Sequence, residues 1–340
     1  MLIKIISGIW ALHDRKNLAG QKVPENIIEM NNVPYKSGTN FHEKNVLDIC
    51  YPKDSRKPLP VIINIHGGGF IYGHKGLNRV FCMHMASKGF LVFNLDYRLV
   101  GKQTGNPSAS SKTRIKLHHQ IHDIRSALNW IERNIHSYPA DNSRVYMTGE
   151  SAGAYLAAMA VLVSKNERLQ KLFYVKNAGV HDAAAHNVDA DNAAAGAQDA
   201  AAHNAADSGF SMKAPDIKTI AMISGFFDWP GHFLYGPLRS IILEKGYKKM
   251  AYYNDLFLDE IPEIVDLPPI FLTTNADDPL KAMTFSFAEF LKQKNHPHRF
   301  VYLPKIKGKK LGHVFNIFHL DWEESIYVNS KMLDFFSKEN

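Results

Sequence analysis

The alternation of short β-rich runs with helical patterns predicts an α/β fold: a mostly parallel central sheet of about eight strands, helices on both faces, and a small cap. Three observations carry this. Runs such as "VIINIH" (61–66) and "RFVYLP" (299–304) recur along the chain with helical stretches between them. One of those stretches, "LHHQIHDIRSALNWIERNI" (117–135), repeats Leu117, Ile121, Ile124, Leu128, Ile131 and Ile135 at steps of four and three, a single apolar stripe. The 340 residues are 45% hydrophobic and 21% charged, which suits one large soluble domain spanning 1–340 with ample core.

In chain order, "MLIKIISGIWALHDRKN" opens as an uncleaved amphipathic segment, because it lacks the basic start, long apolar stretch and small-residue cleavage site of a signal peptide. Residues 26–35 and 45–51 add antiparallel edge strands. Core strands follow at 61–66, 90–97, 144–149, 217–224, 270–274 and 299–304. Pro139 stops the helix of 117–135, and "ADNSR" turns the chain into the next strand. "SAGAYLAAMAVLV" (151–163) is small and apolar almost all round, the mark of a helix buried against the sheet. Pro279 opens another helix, and residues 321–336 form the last.

Two segments stand apart. Residues 182–207 contain 13 alanines in 26 residues, with Val188 the one larger aliphatic. Such a stretch buries too little apolar surface to offset its ordering entropy, so a flexible low-complexity surface insertion is expected. Its His and Asp residues carry no metal-ligand spacing. Residues 229–262 are rich in aromatics (Trp229, Phe233, Tyr235, Tyr247, Tyr252, Tyr253, Phe257) and form the expected cap.

Charge and cysteine content narrow the setting. The net charge is +7, and the five aspartates of 182–207 leave about +12 on the rest of the chain. No nucleic-acid motif accompanies it, so a solvated basic surface is the reading and nucleic acid is not an expected partner. No apolar run reaches the ~18 residues of a membrane span, so no stable membrane insertion is expected. Cys50 and Cys82 are too few for a disulfide framework and read as reduced core residues of a cytoplasmic protein. Homo-oligomerisation is left open.

The chemistry concentrates in "MTGESAGAYL" (147–156). A nucleophilic serine must stand proud of the carboxyl end of a sheet, on a sharp strand-to-helix turn that crowds the backbone two residues to either side. Glycine removes that clash. Gly149-Glu150-Ser151-Ala152-Gly153 has this spacing, follows an expected strand and opens an expected helix, whose N-terminus favours developing negative charge. Gly67 to Gly69 in "INIHGGGFIYG" follow another strand and leave backbone N–H groups free to face a site.

Taken together, "HGGGF" (66–70), "LDYRL" (95–99), "GESAG" (149–153), "DDPL" (277–280) and "GHVF" (312–315) resemble the hormone-sensitive-lipase-like and carboxylesterase branch of the α/β-hydrolase superfamily. The resemblance implies an α/β-hydrolase fold and a serine carboxylic-ester hydrolase, an esterase acting on a small-molecule ester. The mixture of cap aromatics with Lys245, Lys248, Lys249, Asp255 and Glu260 reads as a lid over a bounded pocket, so a short acyl chain is expected. The resemblance also implies Ser151 as nucleophile, His313 as base and Asp278 as the acid orienting it. The N–H groups of Gly68, Gly69 and Ala152 would form the oxyanion hole, with no metal or organic cofactor. Asp277 and Asp228 are rivals for the acid. Asp96 and Arg98 read as braces near the oxyanion turn, and "KIKGKK" (305–310) as a solvated loop. An amidase or peptidase on the same triad, and a non-catalytic binding protein on the same fold, are the alternative functions.

Overall fold

The computed structural model describes residues 2–37, 42–101, 114–174, 212–227, 239–243, 248 and 254–338. The strands are β1 (Ile27–Pro34), β2 (Val46–Pro52), β3 (Leu59–Ile65), β4 (Leu91–Leu95), β5 (Ala140–Glu150), β6 (Ile217–Ile223), β7 (Ile270–Asn275) and β8 (His298–Leu303). They form one eight-stranded sheet in the order β1-β2-β4-β3-β5-β6-β7-β8. The pairings β1·β2 and β2·β4 are antiparallel, and every later neighbour is parallel. The expected antiparallel strands thus lie together at one side, with β1 as the edge.

The described helices are α1 (Leu2–Leu18), α2 (Arg79–Ser87), α3 (Leu117–Asn134), α4 (Ala152–Lys165), α5 (Glu167–Tyr174), α6 (Arg239–Ile242), α7 (Lys281–Gln293), α8 (Phe315–Phe318) and α9 (Glu323–Lys338). Successive side chains of a strand point to opposite faces, and β3 divides its residues accordingly. Val61, Ile63 and Ile65 join the core built with α3, α4 and α7, while Ile62 joins the core built with α2 and α9. Both faces are dry. Helix α4 is buried from Ala152 to Val163, as its all-round apolar sequence predicts.

The parallel strands end on the same edge, and a polar ladder stiffens that edge. Asn64 donates to the side chain of Asn94 at 2.9 Å and accepts from the Thr148 hydroxyl at 2.9 Å. These three residues are register partners on β4, β3 and β5. The loops leaving this edge carry the residues that the sequence singles out, as is general for open α/β sheets.

Two expectations shift. Strand β5 begins at Ala140 rather than after "ADNSR", because Ala140 pairs with Leu59 before an irregularity restores the parallel register at Val61 and Val145. Pro279 does not open α7; it stands in a turn two residues earlier, where the Leu280 N–H donates to Asp278 Oδ1 at 2.8 Å. The insertion 182–207 lies outside the described residues, as do Trp229, Phe233, Tyr235, Tyr247, Tyr252 and Tyr253 of the expected cap. In the described part of that region Ile242, Leu243, residues 255–258 and Ile261 are buried, while Lys248, Asn254, Asp259, Glu260 and Pro262 are exposed. Phe257 is buried, and the Leu256 carbonyl accepts the Tyr155 hydroxyl of α4 at 2.9 Å. Cys50 and Cys82 are buried free thiols.

Candidate active site

Ser151 sits between the end of β5 and the start of α4 with φ +52° and ψ −120°. A non-glycine residue in such backbone costs of order 1–3 kcal/mol and persists only when its surroundings over-determine it. Here they do. The Ser151 N–H donates to the Ile223 carbonyl at 2.9 Å, and the Ser151 carbonyl accepts from Phe226 N–H at 3.0 Å and Ala154 N–H at 3.2 Å. The flanking glycines are required by close approach. A Cβ on Gly153 would lie 2.3 Å from the Ile65 carbonyl oxygen, and one on Gly149 would lie 2.4 Å from the Gly153 carbonyl oxygen. The turn can therefore press α4 against the end of β3 only if both side chains are missing.

The loop after β3 crosses beside this turn. Gly68 and Gly69 both take positive φ, and among the described residues their N–H groups, like that of Ala152 at the start of α4, donate to no other residue. The base of the loop is pinned. Tyr97 stacks on the His66 ring with centroids 4.3 Å apart and donates its hydroxyl to the His66 carbonyl at 2.6 Å. Asp96 lies 3.3 Å from His66 Nε2 and accepts from Lys75 N–H at 2.9 Å. Gln120 of α3 donates to the Phe70 and Arg98 carbonyls, and Arg98 forks onto the buried Asp123 carboxylate. The "LDYR" residues thus brace the glycine loop.

His313 and Asp278 are brought together across two strand ends. His313 Nδ1 lies 3.1 Å from each oxygen of the Asp278 carboxylate. Asp277 points away: its Oδ2 accepts the Leu311 N–H at 3.1 Å, while Asn275 donates to the Gly312 carbonyl at 2.7 Å. These two contacts fix the loop that presents His313, so the adjacent aspartates divide orientation of the ring from anchoring of its loop. Asp228 lies outside the described residues.

Burial opposes ionisation of Asp278, but the neighbouring His313 charge and hydrogen bonds from His313, the Ser224 hydroxyl and Leu280 N–H hold its carboxyl below the usual value. Burial likewise works against the His313 imidazolium. Asp278 beside it, with Glu150 and Asp14 further off, outweighs that and raises its pKa above the ordinary 6.5. A ring that accepts a proton readily, held by a carboxylate at its far nitrogen, is equipped to act as a general base.

Three participants have no sequence signature. The Ser224 hydroxyl steadies Asp278 from the end of β6. The Glu150 side chain, inside the G-x-S-x-G run, turns inward and accepts the Gly67 N–H. Asp14 of α1 is buried, accepts a hydrogen bond from the Tyr72 hydroxyl and contributes to the field at His313.

Glu150 gives a pH test. Burial lifts its carboxyl from 4.5 to about 7. Between those values the folded chain holds a proton that the unfolded chain has released, so stability from this group falls as pH rises through that window. A glutamine side chain at this position has no proton to lose. Relative to wild type, Glu150→Gln should gain about 3 kcal/mol between pH 4.5 and 7, read as a difference in urea midpoints. A difference that does not change with pH would show that burial does not perturb the carboxyl.

A mostly parallel sheet, a strained serine turn and an acid–base pair on its carboxyl edge define an α/β-hydrolase fold. Residues 47–220 match the BD-FAE family model, half of the chain, and the chain belongs to that family. The motif-based resemblance to the hormone-sensitive-lipase-like and carboxylesterase branch holds. Esterase LipQ of Mycobacterium tuberculosis (strain ATCC 25618 / H37Rv) is 27% identical over 74% of this chain and 49% of its own length. The probable isoprenylcysteine alpha-carbonyl methylesterase ICME of Oryza sativa subsp. japonica is 29% identical over 35% of this chain and 26% of its own. The chain thus matches between a quarter and a half of the length of these relatives. Among solved structures, Esterase B from Lactobacillus Rhamnosis (HN001) superposes with a TM-score of 0.79 at 23% identity, covering 99% of this chain and 93% of that one. No described helix is long and apolar enough to cross a membrane.

Proposed function

We propose that this protein is a serine carboxylic-ester hydrolase. The observation that carries the reading is the serine held at φ +52° on the same sheet edge as the His313–Asp278 pair. Ser151 Oγ attacks the ester carbonyl carbon, and His313 Nε2 takes its proton. Asp278 holds the Nδ1–H tautomer and stabilises the imidazolium. The N–H groups of Gly68, Gly69 and Ala152 receive the oxyanion, the last with the dipole of α4 behind it. His313 then protonates the leaving alcohol, and water cleaves the acyl-enzyme by the same steps in reverse order.

The oxyanion donors and base serve an ester and an amide alike, so the leaving group needs its own test. Incubation with an activated short-chain ester, beside the matching anilide, should give turnover of the ester that exceeds the anilide by several orders of magnitude. A serine-directed phosphonate should leave one covalent adduct on Ser151, by mass spectrometry. Faster anilide turnover would make the protein an amidase, and neither turnover nor adduct would make it a binding protein on this fold. Cys50 and Cys82 as free thiols favour a reducing, cytoplasmic setting.

The substrate part of the proposal is a short acyl chain. Phe70, Tyr155 and Phe226 pack edge to face next to the glycine loop and the serine turn, with ring centroids 5.5–5.8 Å apart. All three rings are fully buried, so they form a packed backing behind the turn, and the acyl pocket in front of it is proposed to be bounded. A bounded pocket gains about 0.8 kcal/mol per buried methylene until it is full, after which overpacking reverses the trend. The related solved structure of a tributyrin phosphonate on Esterase B shares the fold and motivates the same range. On one leaving group and below the micelle-forming concentration, kcat/KM should peak between acetyl and butyryl. A rate that keeps rising to long chains, or jumps at a lipid interface, would make the enzyme a lipase.

A further inference from the structure

Helix α1 carries apolar side chains on both of its sides, and among the described residues only one side packs on the rest of the protein. Ile3, Ile6 and Trp10 face inward against the core. At 100° per residue, Ile5, Ile9 and Leu12 fall within one narrow stripe turned away from that side, and they are 51%, 61% and 71% exposed. A lone exposed leucine is ordinary; three in line on one helix are not.

The charges around that stripe have one sign. Lys4 and Arg15 are exposed along one flank of it, Lys16 is exposed at its C-terminal end one turn after Leu12, and His13 lies at the other margin; the one acidic residue of α1, Asp14, is turned inward and buried. An anionic surface would attract this face. Apolar residues on the outside, basic residues at the flanks and no outward acid are the features of a helix lying in a lipid–water interface.

We infer that the outer face of α1 docks this protein reversibly on an anionic lipid bilayer, with Ile5, Ile9 and Leu12 entering the headgroup region and Lys4, Arg15 and Lys16 on the lipid charges. The inner face of the same helix borders the candidate site. Trp10 packs edge-on to Tyr72 at 6.1 Å, and Asp14 accepts the hydroxyl of that same tyrosine, two residues after Phe70 at the end of the glycine loop. Docking through α1 therefore sets the site mouth beside the membrane. The binding itself does not depend on the esterase reading, and it is measured without turnover.

The full chain is sedimented with vesicles of phosphatidylcholine containing about one-third phosphatidylserine, and with vesicles of phosphatidylcholine alone. Each basic side chain near an anionic surface contributes about five-fold in partitioning. The anionic vesicles should bind at least tenfold better, and added salt should weaken them. Ile9→Ser/Leu12→Ser should lower binding at least tenfold, and so should Lys4→Glu/Arg15→Glu. All four positions are exposed, and the charge pair leaves the apolar stripe intact, so one variant set checks the other. Absence of binding by the wild type, or equal binding by the variants, would overturn the inference. So would a wild-type dimer in sedimentation velocity that Ile9→Ser/Leu12→Ser dissociates, because the stripe would then be a contact between two copies of the chain.

Discussion

Ser151→Ala should lose at least roughly three decades of kcat on an activated ester while keeping its fold. The nucleophile supplies the one bond that the rest of the site cannot replace, since the oxyanion donors and the base act on an attack that no longer starts. The fold should survive because Ser151 is held by its backbone: its N–H and carbonyl make three hydrogen bonds to Ile223, Phe226 and Ala154 that alanine keeps. Alanine also has the Cβ that the turn already tolerates. Two readouts separate chemistry from damage. The urea midpoint should stay close to wild type, and the phosphonate adduct should vanish. A Ser151→Ala protein that still forms an acyl-enzyme would place the nucleophile elsewhere.

The parts of this site that were legible in the sequence are those whose constraint is local. Gly149 and Gly153 announce the serine turn because a carbonyl stands where each Cβ would be, and that exclusion acts at the turn itself. The strands were legible through runs of β-rich residues, although β5 starts at Ala140 because of pairing with Leu59 across the sheet, which no run of residues encodes. Pro279 departs from its expected place for a related reason. Its first-turn preference is real, but Asp278 uses the Leu280 N–H to close a turn, and that displaces the helix start to Lys281.

What remained hidden acts through space. Ser224, just after β6, acts on Asp278, and Glu150 of the serine turn and Asp14 of α1 act on His313, each across dozens to hundreds of residues. A serine after a strand, a glutamate beside a nucleophile and an aspartate in an amphipathic helix are each ordinary in sequence. Only the convergence of three strand ends and α1 makes them neighbours. The choice between Asp277 and Asp278 had the same character: the residues are adjacent and chemically identical, and the distinction lies in which loop atom each reaches, the His313 ring or the Leu311 N–H.

That distinction sets the second large effect. Asp278→Asn should cost on the order of ten-thousand-fold in kcat, because an amide no longer fixes the Nδ1–H tautomer of His313 and leaves no negative charge to stabilise the imidazolium. Asp277→Asn should cost far less, within about tenfold, because the amide oxygen can still accept the Leu311 N–H that anchors the loop. The pH profile should separate them further. Asp278 is first among the groups that raise the His313 pKa, so its removal should move the acidic limb of kcat/KM to lower pH, whereas Asp277→Asn should leave the limb in place. Asp228→Asn belongs in the same series as the remaining rival. If it proves the most damaging of the three in a folded protein, Asp228 is the acid of the triad, and the Asp278–His313 contact serves only to hold the loop.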